Sequence, residues 1–540
     1  MTKKQTIILT ALSIGALILG LLVCGRIWFR LDLTRNKAYT ISPASRTLFS
    51  EIPDQVRITY YLSDKLASKH PMPGEITDLL REYAANSRGK VRLTIRDPAR
   101  ANLTEQVEWL GVLPQQIQIV ETDQASIATV YTGLVIEYLE KAEVLPVVFS
   151  LDTLEYDLSS RIRALIRGSE RQLGVIVGDS SRQWNDDYGY VNQTFTQSGY
   201  RIRLINPGDE IPDTLPVLMI LGGMEELDNW ALYRIDRYIQ SGGKVLFALE
   251  GVYVDSKASL EARPIGDLGL LDMVAFYGAR VKRELALDRT ALTLQYQTRT
   301  PGGAVQFRMV RYPLWIGILA ENGNSGHPAA GARFGGMDLF WPSPLELQTP
   351  EGVEGEPLFS TTPEAWSMRD NFTTSPETPY LLEREASETR GQKIMAAALT
   401  GTFPGWFTGR DKPRREGSGE ELPDMPAGAR PSRIIVIGDT DMATSLINMT
   451  RAQRNLDFLL QAVDWLGNDD DIIGIRGRDS QMGRLDHISD PVKKVSAMRF
   501  AQILNVVVFP LLVIFLGIGV AWRRKVRAAG AEEKERSDGV

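Results

Sequence analysis

Two long apolar runs interrupt an otherwise mixed pattern of polar and apolar residues, one near each end of the chain. Residues 5–25 and residues 500–522 contain no charged side chain, and these runs are 21 and 23 residues long. At a rise of about 1.5 Å per residue, a helix of either length spans roughly 30 Å, the thickness of a bilayer core. The pattern predicts a transmembrane helix at each end, within residues 1–30 and residues 500–522, around a large polar body.

Basic residues beside the two runs predict how the chain crosses the membrane. Lys3 and Lys4 precede the first run, and the tail, residues 523–540, begins with Arg-Arg-Lys. Because such residues accumulate on the cytoplasmic side, both termini are expected in the cytoplasm of a bacterial cell and the body in the periplasm. Residues 481–499 are expected to link the body to the second span of this inner membrane protein. Two alternatives to a spanning first helix stay open: a cleaved signal peptide, and a lipoprotein acylated on Cys24.

Between the runs, residues 31–170 alternate β-rich segments with amphipathic helices. The apolar spacing predicts strands over residues 56–62, 91–95, 117–120 and 133–139 and helices over residues 73–88, 103–110 and 154–166. The order β-α-β-α-β-β-α resembles a thioredoxin-like fold, with Pro114 where that fold has a cis proline. Because the unit lacks a Cys-x-x-Cys motif, we expect a scaffold without redox chemistry.

Residues 171–480 follow the pattern of a parallel-sheet α/β domain. Short apolar runs predict strands over residues 174–178, 200–205, 217–221 and 244–249. Asp228 is placed to cap a helix that ends at Ser241-Gly242-Gly243. The layout is similar to class I amidotransferase-like and flavodoxin-like folds.

A strand followed by an acidic residue recurs late in this domain. The segment at residues 175–180 is echoed at residues 436–440, and an amphipathic helix is predicted over residues 453–466. We expect the late strand to rejoin the same sheet, so that residues from about 251 to 430 form a large insertion. Within it, residues 410–431 are rich in glycine, proline and charge and are expected to form a mobile loop.

Gly-Asp pairs end two of the predicted strands and supply the candidate binding residues. Asp179 is followed by Ser180, and Asp439 is followed by Thr440. Open α/β sheets bind ligands at the carboxyl ends of their strands, so these four residues are candidates for a binding site. The alternative is structural, because glycine permits a tight strand exit and aspartate caps the turn that follows. Both interpretations stay open.

Several kinds of chemistry are excluded or unsupported by the sequence. No G-x-x-x-x-G-K-[ST] motif is present, so the chain does not hydrolyse ATP through a P-loop. His70, His327 and His487 are far apart and outside any H-E-x-x-H motif, which argues against a zinc site. The body has no cysteine nucleophile of the kind a class I amidotransferase needs. The net charge of −6 argues against nucleic acid as a partner. We expect no cofactor, no metal and no enzymatic activity.

Short motifs along nearly the whole chain resemble a known family. They are Asp32-Leu-Thr34, Tyr39-Thr-Ile-Ser42, Gly133-Leu-Val-Ile-Glu-Tyr138, Ser241-Gly-Gly-Lys-Val245, Ile434 to Asp441, Asn455-Leu-Asp-Phe-Leu459 and Asp464-Trp-Leu466. In this order the chain is similar to the auxiliary components of uncharacterised ABC-type transport systems, a group that includes the gliding-motility-associated ABC transporter auxiliary protein. The resemblance implies an ABC permease and an ATP-binding subunit on separate chains. It implies no catalytic or ligand-binding residue.

Three hypotheses about function follow. The first is a non-enzymatic, membrane-anchored periplasmic subunit of an ABC-type transport or export complex, similar to substrate-binding proteins, that binds an envelope partner or a small-molecule or polymer substrate. The second is a structural or adhesion-coupling protein of the cell envelope without a transport role. The third is an enzyme with an unrecognised site in the insertion at residues 251–430.

Overall fold

The computed structural model describes residues 41–467 and the four positions 511, 515, 517 and 519. Within the first range it leaves out residues 122–123, 150, 152–153, 169–170, 223–226, 258, 267–268, 300–304, 331–333, 378–381 and 415–420. The chain divides into two units, Met1–Ala38 with Ser480–Val540 and Tyr39–Asp479. Apart from the four late positions, the described residues belong to the second unit.

The prediction of two flanking transmembrane helices is wrong for the part of the chain that the structure describes, where no helix is long and apolar enough to cross a membrane. The longest of these helices, Met72–Asn86 and Gln453–Gly467, have 15 residues each. At that length a helix reaches only about 22 Å, and both carry polar faces. Residues 5–25, with Cys24, the linker 481–499 and the tail 523–540 lie outside the described residues, as does nearly all of 500–522. The predicted location, a two-span inner membrane protein with a periplasmic body, is contradicted by the same finding.

The α/β class is confirmed, and the sheets are mixed. The first sheet belongs to residues 43–167. Its elements are α1 (Pro43–Glu51), β1 (Val56–Leu62), α2 (Asp64–Lys69), α3 (Met72–Asn86), β2 (Val91–Arg96), α4 (Thr104–Trp109), β3 (Gln115–Glu121), β4 (Gln124–Val130), β5 (Thr132–Tyr138), β6 (Lys141–Leu145) and α5 (Leu154–Arg167).

Local chemistry explains how these elements form. Ser42 accepts a hydrogen bond from the Ser45 amide, and Pro43 occupies the first turn, so α1 begins with a side-chain cap. In α3 the buried residues recur at helical spacing and form one apolar face, which consists of Ile76, Leu79, Leu80 and Tyr83. The strands form a sheet in the order β2-β1-β5-β6, in which β1 is parallel to β2 and antiparallel to β5.

Two details of the first sheet differ from the sequence prediction. The segment 117–120 lies in β3, which pairs with β4 in a separate hairpin, and β6 supplies the fourth strand of the sheet instead. β6 escaped prediction because it is an edge strand whose first residues are exposed, so its apolar pattern is weak. The described residues contain no cis peptide bond, so Pro114 does not have the cis geometry of the thioredoxin-like proline.

The remaining elements follow in chain order. They are β7 (Gln172–Val177), α6 (Trp184–Asp187), α7 (Gly189–Gln197), β8 (Arg201–Leu204), β9 (Val217–Leu221), α8 (Asn229–Gln240), β10 (Lys244–Ala248), β11 (Val252–Val254), β12 (Ala262–Pro264), α9 (Gly269–Tyr277), β13 (Ala279–Val281), β14 (Leu285–Leu287), β15 (Ala291–Arg299), β16 (Val305–Ile318), β17 (Met337–Phe340), β18 (Leu345–Leu347), β19 (Val353–Ser360), β20 (Trp366–Met368), α10 (Ala386–Thr389), β21 (Ile394–Gly401), β22 (Ser432–Ile437), α11 (Ile447–Thr450) and α12 (Gln453–Gly467). Two 3₁₀ turns lie at Ala320–Asn322 and Asp441–Ala443.

A nine-stranded sheet organises this second part of the chain, with the order β13-β18-β21-β22-β10-β9-β7-β8 and with β19 pairing β21. The five strands from β22 to β8 are parallel to one another. Their order is that of a flavodoxin-like sheet, in which successive connections change direction between β7 and β9. β22 lies beside β10, with Val245 opposite Ile434, so the late strand returns to the sheet.

Both faces of four parallel strands, β7, β9, β10 and β22, are buried, whereas the edge strand β8 is largely exposed. In β9, Met219 and Leu221 join one apolar cluster with α7 and α12, while Leu218 and Ile220 join a second cluster with α8 and α9. Near-continuous apolar strands are therefore explained by helices on both sides of the sheet.

The segment 251–430 is woven into the same sheet. β13, β18, β19 and β21 extend it beyond β22 through antiparallel pairs. β15, β16 and β17 form a separate three-stranded sheet, and two short antiparallel pairs join β11 to β12 and β14 to β20. Part of the expected mobile loop is anchored, because Leu422 is buried and Tyr233 donates a hydrogen bond to the Pro423 carbonyl.

Candidate functional site

Three acidic side chains stand at the same edge of the parallel sheet. Asp179, Glu250 and Asp439 each lie two residues after the end of a strand, β7, β10 and β22 respectively. Because these strands are parallel members of one sheet, their carboxyl ends open onto one edge. The sequence pattern predicted the positions of Asp179 and Asp439 there and missed Glu250.

Two glycines permit the close approach of these strand exits. A Cβ atom added to Gly438 would stand 1.9 Å from the Ser343 carbonyl oxygen, so no side chain fits before Asp439. Gly222, at the end of β9, has φ +70°, and an added Cβ would lie 3.5 Å from the Asp179 Cβ and 3.8 Å from the Thr440 Cγ2. Gly222 thus forms the floor between the two predicted exits and brings Asp179 and Thr440 together.

Asp439 is occupied by the backbone. Its Oδ2 accepts a hydrogen bond from the Phe340 amide at 2.7 Å, and its Oδ1 accepts from the amides of Asp441 at 2.7 Å and Met442 at 3.1 Å. Burial raises the pKa of Asp439 well above its usual value, with the nearby Asp441 adding to the rise and the amide donors opposing it. This carboxyl group holds the turn after β22 and has little surface to offer a ligand.

Arg182 connects the two strand exits. Its Nε donates to Asp179 Oδ2 at 3.2 Å, and its Nη2 donates to Asp441 Oδ1. Both Arg182 and Asp441 are buried. Burial raises the pKa of Asp441, and the guanidinium of Arg182 opposes that rise.

Glu250 lies beneath this pair. Its Oε2 accepts a hydrogen bond from Thr440 Oγ1 at 2.6 Å. Burial, reinforced by the charge of Asp441, raises the pKa of Glu250 to about 8. Glu250 is therefore largely protonated at neutral pH.

We call the side chains at these strand exits the strand-end cluster; they are Asp179, Arg182, Glu250, Asp439, Thr440 and Asp441. Tyr188 adds a polar atom to it. Its side chain is fully buried, and its hydroxyl has no hydrogen-bond partner among the residues that the structure describes. Burial raises the pKa of Tyr188, while the charge of Arg182 lowers it.

Only part of the cluster is open to solvent. Asp179 is half-buried and accepts hydrogen bonds from the Ser181 amide at 2.9 Å and the Ser181 hydroxyl at 2.6 Å. Ser180 and Ser181 are exposed, and Lys257 donates to the Ser181 carbonyl at 3.0 Å. We call Asp179, Ser180, Ser181 and Lys257 the rim. Of the four predicted residues, Asp179 and Ser180 lie in the rim, whereas Asp439 and Thr440 are buried beneath it.

The arrangement supports polar binding better than covalent chemistry. It has one guanidinium, several carboxyl groups and hydroxyls, and its described members include no histidine or cysteine. Across the described ranges, no group of three or more metal-ligating side chains is placed to hold an ion. A cleft of about 310 Å³ lies elsewhere, beside α9 and β13, and none of the cluster residues lines it.

The residues that the sequence analysis missed share two local signals. Glu250 repeats the spacing of Asp179 and Asp439 after a strand. Arg182 and Asp441 stand three and two residues after Asp179 and Asp439, on the same turns. Their pairing depends on the sheet order, which no local pattern reveals.

Comparison with known proteins identifies the family. Residues 170–471, which contain every strand-end residue described above, match the family described as ABC-type uncharacterized transport system. The chain belongs to this family. The predicted resemblance to the auxiliary components of ABC-type transport is thereby confirmed. Residues 35–137 match a separate domain of unknown function.

One curated relative covers nearly the full length. It is an uncharacterized protein of Borreliella burgdorferi, 26% identical over 508 residues, which are 93% of this chain and 94% of the relative. Its similarity extends across both parts of the described fold.

Solved structures resemble the chain only distantly. The N-terminal domain of mmIFT52 matches with a TM-score of 0.31 and 13% identity, covering 55% of this chain and 98% of that domain. A putative ThuA-like protein from Parabacteroides merdae matches with a TM-score of 0.26 and 9% identity, covering 56% of this chain and 91% of that protein. Likenesses at this level carry no argument about function.

Proposed function

We propose that this protein is a non-enzymatic auxiliary subunit of an ABC-type transport complex, similar to a substrate-binding protein, that works with an ABC permease and an ATP-binding subunit on separate chains. The observation that carries the proposal is the family match over residues 170–471, which spans the whole strand-end cluster. The absence of a P-loop from the full sequence supports it, because the energy for transport must then come from another chain.

In this proposal the rim is where the transported substrate binds. Asp179 and the two serines offer oxygen atoms as hydrogen-bond acceptors and donors. Lys257 adds an exposed ammonium group, which also pairs with Asp187 at 2.9 Å. The buried layer holds the rim in place: Arg182 fixes Asp179 from one side, and Glu250 and Thr440 bond to each other below. A rigid polar edge of this kind suits recognition of a polar small molecule or polymer segment.

The non-enzymatic part of the proposal rests on the chemistry of the cluster. A general base or nucleophile needs an accessible, activated side chain within hydrogen-bond reach of its target. Here Asp439 is engaged by three amides and Arg182 by two carboxylates, while Glu250 is buried. These groups are committed to each other and hold the turns together.

A reconstituted system tests the proposal. The permease and ATP-binding subunit of the same genome are purified together in lipid nanodiscs, and ATP hydrolysis is measured with and without the full-length chain. We expect the chain to bind this complex and change its rate of ATP hydrolysis, and to hydrolyse no ATP alone. Absence of binding would overturn the transport role, and hydrolysis by the chain alone would overturn its non-enzymatic character.

A further inference from the structure

The hairpin of β15 and β16 extends as a two-stranded ribbon with an unusual outer face. We call its residues 293–299 and 305–311 the ribbon arm. On β16, Val305, Phe307 and Met309 are 55%, 59% and 74% exposed. They stand two residues apart, so they point to the same face of the strand.

Only the base of the ribbon arm packs on the body through its opposite face, because Gln306 and Arg308 farther along that face are exposed. Leu294 of the arm and Tyr312, which follows it, belong to the apolar cluster that contains α7 and α12, and Val310 packs against that cluster. An antiparallel sheet with one face on the core normally presents polar side chains on the other. The outer apolar stripe therefore has no role in the fold of the described residues.

Polar residues of β15 lie beside the apolar stripe of β16. Gln297 is opposite Phe307, and Gln295 is opposite Met309 in the antiparallel register. Because directly paired residues share a face, the stripe is an apolar row beside a row of exposed amides. A single exposed apolar side chain needs no explanation, but a contiguous row bordered by polar groups marks an interaction surface.

The composition of the arm is that of a protein interface. Residues 293–311, the arm with the residues between its strands, contain three arginines, Arg299, Arg308 and Arg311, and no Lys, Asp or Glu. Aromatic residues, methionine and arginine are enriched in interfaces, and Lys, Asp and Glu are depleted. The segment carries +3 in a chain of net charge −6, which leaves −9 for the rest. A complementary partner must therefore be apolar at its centre and acidic around it.

An unpaired strand edge accompanies the stripe. β16 pairs with β17 only from Trp315 to Ile318, and the carbonyls of Pro313 and Leu314 accept hydrogen bonds from the amides of Asp288 and Trp341. Within the described residues, the second edge of β16 from Val305 to Arg311 pairs with no other strand. Free backbone N–H and C=O groups along such an edge are available to a partner segment. Side-chain stripe and backbone edge thus lie on the same strand.

We infer that the ribbon arm is the docking surface for another subunit of the transport complex, which receives Val305, Phe307 and Met309 in an apolar groove flanked by carboxylates. This inference rests on the proposed function, which supplies the partner subunits. Pairing between the arms of two copies is disfavoured because it would bring arginines together without any acidic residue of the arm between them.

The test compares two matched double variants of the full-length chain. Phe307→Ser/Met309→Ser removes the two largest apolar side chains of the stripe. Leu139→Ser/Met449→Ser removes two apolar side chains that are 68% and 60% exposed outside the arm. Affinity for the purified permease and ATP-binding complex is measured by biolayer interferometry, and melting temperatures verify that both variants fold like the unsubstituted chain.

We expect the arm variant to bind about 30-fold more weakly and the control variant to bind like the original chain. Higher salt should weaken the original interaction without abolishing it, since the apolar contact is unaffected by screening. Equal binding by the arm variant would overturn the inference and leave the proposed function intact. Failure of the original chain to bind would overturn both.

Two further measurements test whether the arm instead binds a second copy of the chain or a lipid surface. Size-exclusion chromatography with light scattering reveals whether the chain forms dimers that the arm variant loses. Flotation with vesicles of phosphatidylglycerol and phosphatidylethanolamine reveals whether the chain binds anionic lipid through the arm. Either positive result would overturn the assignment to a transport subunit.

Discussion

Arg182 and Asp441 form an ion pair across 259 positions of sequence, and both side chains are almost fully buried. The same guanidinium also binds Asp179, which lies beside the exit of β7, while Asp441 follows the exit of β22. One side chain therefore ties the first and last parallel strands of the domain to each other at their carboxyl ends. The geometry of the rim depends on this connection.

Replacing Arg182 with methionine should destabilise the fold by about 3–5 kcal/mol, because it leaves the carboxylate of Asp441 buried without its counter-charge. The free energy of unfolding in urea measures this loss. Arg100→Met is the control, since Arg100 pairs with Asp64 at the surface with side-chain exposures of 82% and 65%. Arg100→Met should lower the free energy of unfolding by less than about 1 kcal/mol.

The double variant Arg182→Met/Asp441→Leu should recover much of that loss. Removing both charges removes the uncompensated carboxylate as well. If the losses in free energy of unfolding of Arg182→Met and Asp441→Leu simply add in the double variant, the two side chains are not coupled. Their ion pair is then not what holds the two strand exits together.

Glu250 should make the stability of the fold depend on pH. Burial raises its pKa from 4.5 to about 8, so the folded state holds a proton that the unfolded state releases. Its contribution is fully present below pH 4.5 and is lost as pH rises through about 8. In Glu250→Gln this loss disappears, because glutamine is neutral at every pH.

Urea unfolding of both proteins from pH 5 to pH 8 checks the prediction. As pH rises, the free energy of unfolding of Glu250→Gln should increase relative to that of the original chain, by at most about 1.4 kcal/mol per pH unit. Glu354→Gln, at an exposed position of β19, serves as the control. A difference between Glu250→Gln and the original chain that stays constant with pH would show that Glu250 is ionised throughout.

Asp439→Asn should destabilise the turn after β22 by about 1–3 kcal/mol. Three backbone amides donate to the two carboxylate oxygens, and an asparagine must direct its own N–H₂ group at one or more of them. Asp424→Asn, an exposed residue, should leave the urea midpoint unchanged. Equal midpoints for the two variants would refute the structural role of Asp439.

Ser180→Trp should abolish the contribution of the rim to transport without unfolding the protein. Ser180 is exposed, so the indole can occupy the space above Asp179 while the core stays intact. The effect of the chain on ATP hydrolysis by the reconstituted complex should fall at least tenfold, and the melting temperature should not change. Ser68→Trp, at an exposed position of α2, should retain the full effect. Full activity of Ser180→Trp would exclude the rim as the binding edge.

The local sequence pattern predicts where the strands end, but it does not predict which side chains meet in the strand-end cluster. An apolar run followed by Gly-Asp indicates where β7 and β22 end, since glycine is required where Gly438 touches the Ser343 carbonyl. The partners of Arg182 and Glu250 come from distant strands, so they depend on the order of the sheet and are invisible to spacing.

The same dependence on sheet order explains why the local sequence pattern does not predict the structure of the segment 251–430. β13, β18, β19 and β21 join the central sheet through antiparallel pairs, although they lie between β10 and β22 in sequence. The predicted transmembrane helices rested on the length of two uncharged apolar runs and on the basic residues beside them. The structure describes only four positions of these runs, and no described helix exceeds the 15 residues of α3 and α12. Apolar composition and length were too little to fix either a span or a location.

Work within an ABC-type transport complex predicts stable association with its other subunits, which affinity purification of the tagged full-length protein from its own cells in mild detergent would detect. We predict that an ATP-binding subunit and a permease are recovered with it in near-stoichiometric amounts, identified by mass spectrometry. Recovery of the folded chain without either subunit would contradict the account.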